Sequence, residues 1–289
     1  MRQWDSVAII GVGLIGASIG LALKKRGLAQ RIIGIGRNAP RLQEACDQGA
    51  VTEIFTDMDR GVADAQLIVV CTPVGHIASH VRQAAAASAP TALLTDAGST
   101  KSQICRELAA TPELVARFVG SHPMAGSEKS GARHGRADLF VDRVTVVTPS
   151  QDDSPDLTSQ IEDFWRSLGS RVLRMTPAAH DAAVAAVSHA PHVIASVLAA
   201  ATPDEHLALA GSGWGDTTRV AAGDAELWRQ IVLQNRQPVL RTLDEFTAML
   251  AQFRAALDAE DGQQIAHLLE VGKRRRDAFA REAREKRSS

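Results

Sequence analysis

Four segments of the chain place histidine, arginine or acidic side chains where stability alone would not require them. Imidazoles act as general bases near neutral pH, and a guanidinium binds a carboxylate through two parallel hydrogen bonds. Taken singly, each side chain could be an ordinary core histidine, a surface residue or a helix cap. Together with a cofactor site they would supply what hydride transfer needs at one crevice. The candidates are His122, Ser127 and Glu128; His180; Ser188, His189 and His192; and Asp216 and Arg219.

A glycine-rich segment near the N-terminus has the spacing of a dinucleotide-binding loop. Gly11, Gly13 and Gly16 form GxGxxG between an apolar strand-like run and an apolar helical pattern. Such glycines permit a tight turn, close approach of a pyrophosphate and close helix–strand packing, and the helix N-terminus adds free N–H groups. A glycine-rich turn without a ligand is the alternative, but it would not require this context. We expect the cofactor to contact Gly11, Gly13, Leu14, Ile15 and Gly16.

The end of the second predicted strand indicates which dinucleotide is bound. NAD sites place Asp or Glu there to accept a hydrogen bond from the ribose 2′-hydroxyl. Here Gly36 takes that position and Arg37 follows it. A guanidinium beside an uncharged floor suits a 2′-phosphate, so the sequence predicts NADP rather than NAD. Alternatively, Arg37 is an ordinary surface arginine.

Two further strand ends add candidates. Thr72 and Pro73 close the central strand, and Asp96 and Ser99 follow the next strand. Cofactors of Rossmann-type domains lie over these carboxyl ends, so Thr72, Pro73 and Asp96 are predicted cofactor contacts. Ser99 could act in the site, cap the helix that follows, or do both.

The pattern of strands and helices predicts the elements that position these residues. Up to about residue 175, β-branched runs alternate with helical patterns, which predicts a doubly wound, mostly parallel sheet of Rossmann type. From Pro177 onward only helical patterns remain, so we expect an all-α domain. The predicted domains are residues 1–175, which bind the dinucleotide, and 176–289, which form a helical substrate and dimerisation domain. An apolar stripe in the latter fits either a dimer seam or an intramolecular seam, and comprises Leu243, Phe246, Leu250, Phe253 and Leu257.

Composition excludes several other classes of protein. The chain has 289 residues, of which 45% are hydrophobic, and a net charge of −1, which gives no general attraction to nucleic acid or anionic membranes. The three cysteines lack CxxC spacing, which indicates free thiols in a reducing cytoplasm. The HxxH spacing of His189 and His192 supplies only two ligands, so we expect no metal. Residues 178–201 are long enough to span a bilayer, but His180 and Asp181 favour a buried helix of a protein interior.

Five motifs together identify a family. They are GVGLIGAS, TDAGSTK, GSHPMAGSEKSG, SHAPH and GWGDTTRVAAGDAELW, and they span nearly the whole chain. The combination resembles the prephenate/arogenate (cyclohexadienyl) dehydrogenase family of tyrosine biosynthesis. The resemblance implies a cytoplasmic homodimer that oxidatively decarboxylates prephenate to 4-hydroxyphenylpyruvate, with hydride transfer to NADP or NAD.

The resemblance also implies roles for individual residues. His122 would hydrogen-bond and polarise the substrate's 4-hydroxyl, and Ser99 would help to fix that hydroxyl and the histidine. Arg219 would clamp a substrate carboxylate, and His180 and Asp216 would make supporting bonds. The remaining substrate contacts would be His192, His189, Ser188, Ser127 and Glu128.

Three alternatives remain open at this point. Arogenate differs from prephenate only in an amino group in place of a keto group, so the chain could be an arogenate dehydrogenase that forms tyrosine directly. A β-hydroxyacid dehydrogenase is less favoured, because no lysine occurs between Lys129 and Lys273 to serve early in the helical part. A non-catalytic NADP-binding sensor or scaffold would need the glycine loop, but not the convergence of His122 and Arg219.

Overall fold

The computed structural model describes residues 3–111, 114, 116–126, 129–150 and 154–288. The chain divides into two compact units, Met1–Pro238 and Val239–Ser289. All strands found among the described residues end by Arg174, and helical elements follow. The domain boundary near residue 175 stays a prediction, since the division between the two compact units falls after Pro238.

The described residues of the first unit form an eight-stranded sheet in the order β3-β2-β1-β4-β5-β6-β7-β8. Neighbouring strands are parallel except β6 and β7, which pair antiparallel. This confirms the predicted doubly wound sheet, although the short β3 was not predicted. The strands are β1 (Trp4–Ile10), β2 (Ala29–Ile35), β3 (Glu53–Phe55), β4 (Leu67–Val70), β5 (Leu93–Asp96), β6 (Phe118–Pro123), β7 (Val144–Thr148) and β8 (Arg171–Arg174).

Helices connect these strands and continue after them. In the sheet-forming part they are α1 (Leu14–Lys25), α2 (Ala39–Asp47), α3 (Met58–Val62), α4 (Ile77–Ala87), α5 (Ser102–Ala109) and α6 (Pro155–Ser167). Then come α7 (Pro177–Val184), a π-helical turn (Ala185–His189), α8 (Ala190–Ala201), α9 (Ser212–Thr218) and α10 (Ala225–Gln234). Short 3-10 helices occur at Val74–His76, Ala132–His134, Asp204–Leu209 and Arg219–Ala222.

The central strands pack on both faces. In β1, Ile9 joins one buried cluster and the adjacent Ile10 joins the other. In β4, Val69 and Val70 divide in the same way. Because successive side chains of a strand point to opposite faces, each face of the sheet has its own hydrophobic core. This explains why β4 is apolar at every position, Leu67–Val70.

The stretch Pro177–Ala201 has the length and hydropathy of a membrane span, with a mean hydropathy of 1.6 over its best window. Its polar side chains His180, Asp181 and His189 are nevertheless buried and hydrogen-bonded inside the first unit. A π-helical turn interrupts its α-helical geometry. These contacts are those of a helix in a protein core.

The second unit consists of most of α11 (Arg236–Asp258) and of α12 (Gly262–Ser288). The apolar stripe predicted from the sequence lies on α11. Three of its members, Phe246, Leu250 and Leu257, are exposed in the single chain, at 40%, 57% and 56% of their surface.

Candidate active site

A cavity of about 1300 Å³ opens at the carboxyl ends of the central strands. Ile10, Ile35 and Ala97 mark the ends of three strands in its wall. Ligands of open α/β sheets bind at this edge, where the crossovers diverge to the two faces. The predicted site residues that line the cavity are Gly11, Gly13, Leu14, Ile15, Arg37, Thr72, Pro73, Ser99, His122, Ser188 and His189.

The glycine loop has the geometry of a phosphate-binding turn. Gly11 has a φ of +92°, and a Cβ there would meet the backbone oxygen of Cys71 at 2.9 Å. Gly13 caps α1 without a side-chain hydrogen bond, and the first turn of α1, which the structure describes fully, holds no acid. The backbone N–H groups of that turn therefore remain available to an anion. These features fit the pyrophosphate of a dinucleotide.

One arginine and two histidines line the end of the cavity beyond β2. They are Arg37, His76 and His80. The imidazoles of His76 and His80 have ring centroids 5.8 Å apart, and Nδ1 of His80 lies 2.9 Å from Oγ1 of Thr72. Burial, followed by electrostatic interactions with His76 and Arg37, lowers the pKa of His80. This end of the cavity therefore holds one guanidinium and two imidazoles, of which the sequence indicated only Arg37.

The position of His122 is fixed by its neighbour in β6. The backbone N–H of Ser121 donates to Oδ1 of Asp96 at 3.0 Å, and its hydroxyl donates to the Asp96 carbonyl at 2.6 Å. The indole N–H of Trp165 donates to the same hydroxyl at 2.8 Å. His122 lies within β6, which continues to Pro123, and the antiparallel partner β7 holds it opposite Val146.

His122 belongs to a chain of three buried or half-buried side chains. Its Nδ1 lies 2.9 Å from Nε2 of His180, whose Nδ1 lies 2.8 Å from Oδ1 of Asp181. Burial and the adjacent His180 lower the pKa of His122 well below its usual range. Burial alone would raise the pKa of Asp181, but hydrogen bonds from His180, Ser102 and Lys101 outweigh it and lower the pKa. At neutral pH the chain therefore joins a neutral His122 to a carboxylate.

Asp96 is fully buried and forms an ion pair with the equally buried Lys101. Its carboxylate also accepts the backbone N–H of Gly98 at 2.8 Å. The ammonium of Lys101 donates further to the carbonyl of Ser121 at 2.9 Å. This pair therefore connects the end of β5 to Ser121 in β6, the residue before His122.

His189 and His192 face different surroundings because the π-helical turn lies before α8. His189 lines the main cavity, and the amide nitrogen of Asn235 donates to its Nδ1 at 3.0 Å. Burial lowers the pKa of His189 to about 4. His192 stacks on Trp228 with ring centroids 3.6 Å apart and lines a second cavity of about 370 Å³. Trp228 contributes to the walls of both cavities.

The comparison with known proteins agrees with this geometry. The family model "Prephenate dehydrogenase, nucleotide-binding domain" matches residues 19–174, and "Prephenate dehydrogenase, dimerization domain" matches residues 176–271. The chain belongs to the prephenate dehydrogenase family. This confirms the resemblance carried by the five motifs.

Individual members of the prephenate dehydrogenase family resemble the chain over most of its length. Prephenate dehydrogenase of Bacillus subtilis (strain 168) is 30% identical over 282 residues, which are 95% of this chain and 76% of that relative. The solved prephenate dehydrogenase of A. aeolicus, in complex with hydroxyphenyl propionate and NAD+, has a TM-score of 0.88 at 27% identity and covers 96% of this chain and 98% of its own. Synechocystis arogenate dehydrogenase has a TM-score of 0.80 at 29% identity, and the match covers 95% of this chain and 99% of that protein's chain.

Not every residue that the sequence analysis assigned to the site lines the main cavity. Among the described residues, Gly16, Asp96, His192 and Arg219 lie outside its wall. Gly16 packs beneath the loop, where a Cβ would meet the Gly11 oxygen at 2.3 Å. Arg219 is exposed at the start of a 3-10 helix and is not part of the wall of this cavity. Ser127 and Glu128 lie outside the described residues.

Several contacts of the site, and some of its residues, were not found from the sequence. The pairing of His180 with His122 spans 58 positions, and that of Asp181 with the backbone of Lys101 spans 80. Neither Lys101, at the end of TDAGSTK, nor Trp228, at the end of DAELW, was predicted to belong to the site. The motifs contained both residues, but only a three-dimensional arrangement shows what they contact.

Proposed function

We propose that the chain catalyses the oxidative decarboxylation of prephenate to 4-hydroxyphenylpyruvate. A hydride leaves C4 of the cyclohexadienol ring as its hydroxyl loses a proton, and the C1 carboxylate then leaves as CO2. The electron pair of the broken C–C bond makes the ring aromatic, and the phenolate oxygen takes the proton back. When bound, the nicotinamide accepts the hydride. Prephenate dianion and oxidised cofactor thus give the product monoanion, CO2 and reduced cofactor, with no net proton released.

The observation that carries this proposal is the position of His122 in the same cavity as the glycine loop. An imidazole kept neutral by burial can accept the hydroxyl proton while the hydride departs. Ser99 lines the cavity with it and would hydrogen-bond the same hydroxyl. Since aromatisation drives the reaction, positioning and one base are the main demands on the protein.

The other site residues are proposed in supporting roles. His189 and Ser188 line the cavity and would contact the substrate, whereas His192 would act through its stacking on Trp228. We keep Arg219 as the proposed carboxylate clamp on the family resemblance alone. Thr72 and Pro73 would contact the cofactor, while Asp96 would hold the loops that form the site.

We infer that NADP is preferred over NAD. Gly36 leaves no carboxylate at the end of β2 to bind a ribose 2′-hydroxyl, and Arg37, His76 and His80 line that end of the cavity. A 2′-phosphate would gain charge-assisted hydrogen bonds from such groups. The A. aeolicus relative was solved with NAD+, so the comparison of both cofactors is essential.

We further propose a cytoplasmic homodimer. The match to a dimerization-domain model and the exposed stripe on α11 support self-association. The free cysteines Cys46, Cys71 and Cys105 suit a reducing compartment. Sedimentation of the purified chain would test the dimer.

One assay tests the proposed reaction. The purified protein is incubated with prephenate or arogenate and with NADP or NAD, and the reduced nucleotide is followed by absorbance. We expect reduction that depends on prephenate, with a higher kcat/KM for NADP. No reduction with any of the four pairs would reject the function, and a clear preference for arogenate or for NAD would reject that part of the proposal.

A further inference from the structure

We propose that His180 and Asp181 are positioning residues that fix the proton of neutral His122 on Nδ1, which leaves the Nε2 lone pair for the substrate. The three side chains form a continuous line of hydrogen bonds from β6 to the first turns of α7. The catalytic meaning of this tautomer rests on the proposed function, but its existence does not.

The line is anchored at Asp181. The backbone N–H of Lys101 donates to its Oδ1 at 2.8 Å, and that of Ser102 donates to its Oδ2 at 2.9 Å. These N–H groups stand at the beginning of α5, where a negative charge is favoured. Asp181 is therefore an ionised acceptor without needing a positive charge on His180.

The direction of each hydrogen bond follows from that anchor. A carboxylate accepts only, so Nδ1 of His180 carries the proton in their 2.8 Å contact. In a neutral His180, Nε2 is then an acceptor. Nδ1 of His122 must donate to it across 2.9 Å, and Nε2 of His122 is left unprotonated.

The charged groups around His122 disfavour its protonated form. Lys101, from the segment before α5, is close enough to disfavour further positive charge, although Asp96 neutralises much of its field. His189, from the π-helical turn, acts in the same direction. His180 itself is fully buried.

The hydrogen bonds from His122 through His180 to Asp181 can also stabilise the charge that His122 gains when it takes up the hydroxyl proton. The new imidazolium donates from Nδ1 to His180, which donates to the Asp181 carboxylate, so the charge is stabilised through fixed dipoles. His122 gives the proton back when the phenolate forms. His180 and Asp181 never touch the substrate in this scheme.

The tautomer can be measured without turnover. Long-range ¹H–¹⁵N correlation spectra of the histidine-labelled full chain at neutral pH distinguish protonated from unprotonated ring nitrogens, and the His122→Asn variant assigns the resonances. We expect Nδ1–H and bare Nε2 for His122, and bare Nε2 for His180. A protonated Nε2 on His122, or a doubly protonated His180, would overturn the proposal.

Kinetics give the second readout. His180→Leu removes the acceptor, and we expect kcat to fall on the order of 10²-fold, within the range of general-base effects, with little change in KM. His180→Gln retains an acceptor oxygen and should recover part of the loss. His206→Leu, in the exposed Asp204–Leu209 segment, is the matched control and should keep full activity.

These outcomes separate the two proposals. If the wild-type chain turns over no substrate pair, the proposed function fails while the spectra still decide the tautomer. If the wild type is active and His180→Leu keeps its kcat, the positioning role is rejected. Should His180→Leu fail to fold, the wild-type spectra and the His180→Gln rate decide.

Discussion

Nδ1 of His122 lies 2.9 Å from Nε2 of His180, although the two residues are 58 positions apart in the chain. This contact joins β6, the strand that pairs antiparallel with β7, to α7, the first helix after the last strand of the sheet. It gives the proposed base a defined tautomer, and it makes the site sensitive to changes on both sides of the contact.

His122→Asn should abolish most activity without disturbing substrate binding. Asparagine keeps a polar side chain at the cavity wall but cannot accept the hydroxyl proton. We expect kcat to fall by about 10²- to 10⁴-fold, with KM changed much less. Steady-state kinetics with prephenate measure both. His206→Asn is the control, and an unchanged kcat in His122→Asn would remove His122 from the role of base.

The pH profile should reflect the lowered pKa of His122. The base works when neutral, and burial together with His180 keeps it neutral to a pH well below 6.5. We therefore expect kcat/KM to stay level as the pH falls from neutral through 6.5, the unperturbed value, and to decline only in more acid solution. An acid limb with its midpoint at or above that value would contradict the assignment.

Two glycines of the loop should respond differently to alanine. A Cβ at Gly13 would meet nothing within 4 Å, so Gly13→Ala should fold normally but block close approach of the cofactor phosphates. A Cβ at Gly16 would lie 2.3 Å from the Gly11 oxygen, so Gly16→Ala should lower the melting temperature. Cofactor titration and thermal unfolding measure these effects. Equal cofactor affinity of Gly13→Ala and wild type would argue against the phosphate contact.

Arg37→Ala should weaken NADP selectively. Loss of a charge-assisted hydrogen bond of about 1.5–3 kcal/mol corresponds to roughly 10- to 100-fold in kcat/KM. We expect that loss for NADP and a change under about twofold for NAD. Arg106→Ala, an exposed arginine on α5 outside the cavity wall, is the matched control. Parallel losses with both cofactors would show that Arg37 does not read the 2′-phosphate.

The buried pair of Asp96 and Lys101 should be more costly to break than to replace. Lys101→Met leaves a fully buried carboxylate without its counter-ion, and we expect a loss of about 3–5 kcal/mol in the free energy of unfolding. Combining it with Asp96→Asn removes the uncompensated charge and should recover part of that loss. Urea unfolding followed by tryptophan fluorescence measures both. A double variant less stable than Lys101→Met would reject this explanation.

Local sequence was enough to predict the parts of the site that depend on neighbouring residues. The glycine loop follows from one short motif, because the turn, the phosphate approach and the helix start all lie within Gly11–Gly16. The strand ends at Thr72 and Asp96 follow from apolar runs. That His122 lies inside β6 could not be read locally, because the antiparallel pairing with β7 that extends this strand is a long-range contact.

The sequence alone determined the fold class, the family and the residue types available for chemistry, since periodicity, motif spacing and composition are properties of the chain itself. The tertiary structure decided which of these side chains share a cavity. It brought His180 and Asp181 to His122, buried Asp96 against Lys101 and turned His189 and His192 toward different cavities. Such contacts depend on packing between elements far apart in the chain, and no local pattern encodes the distances involved.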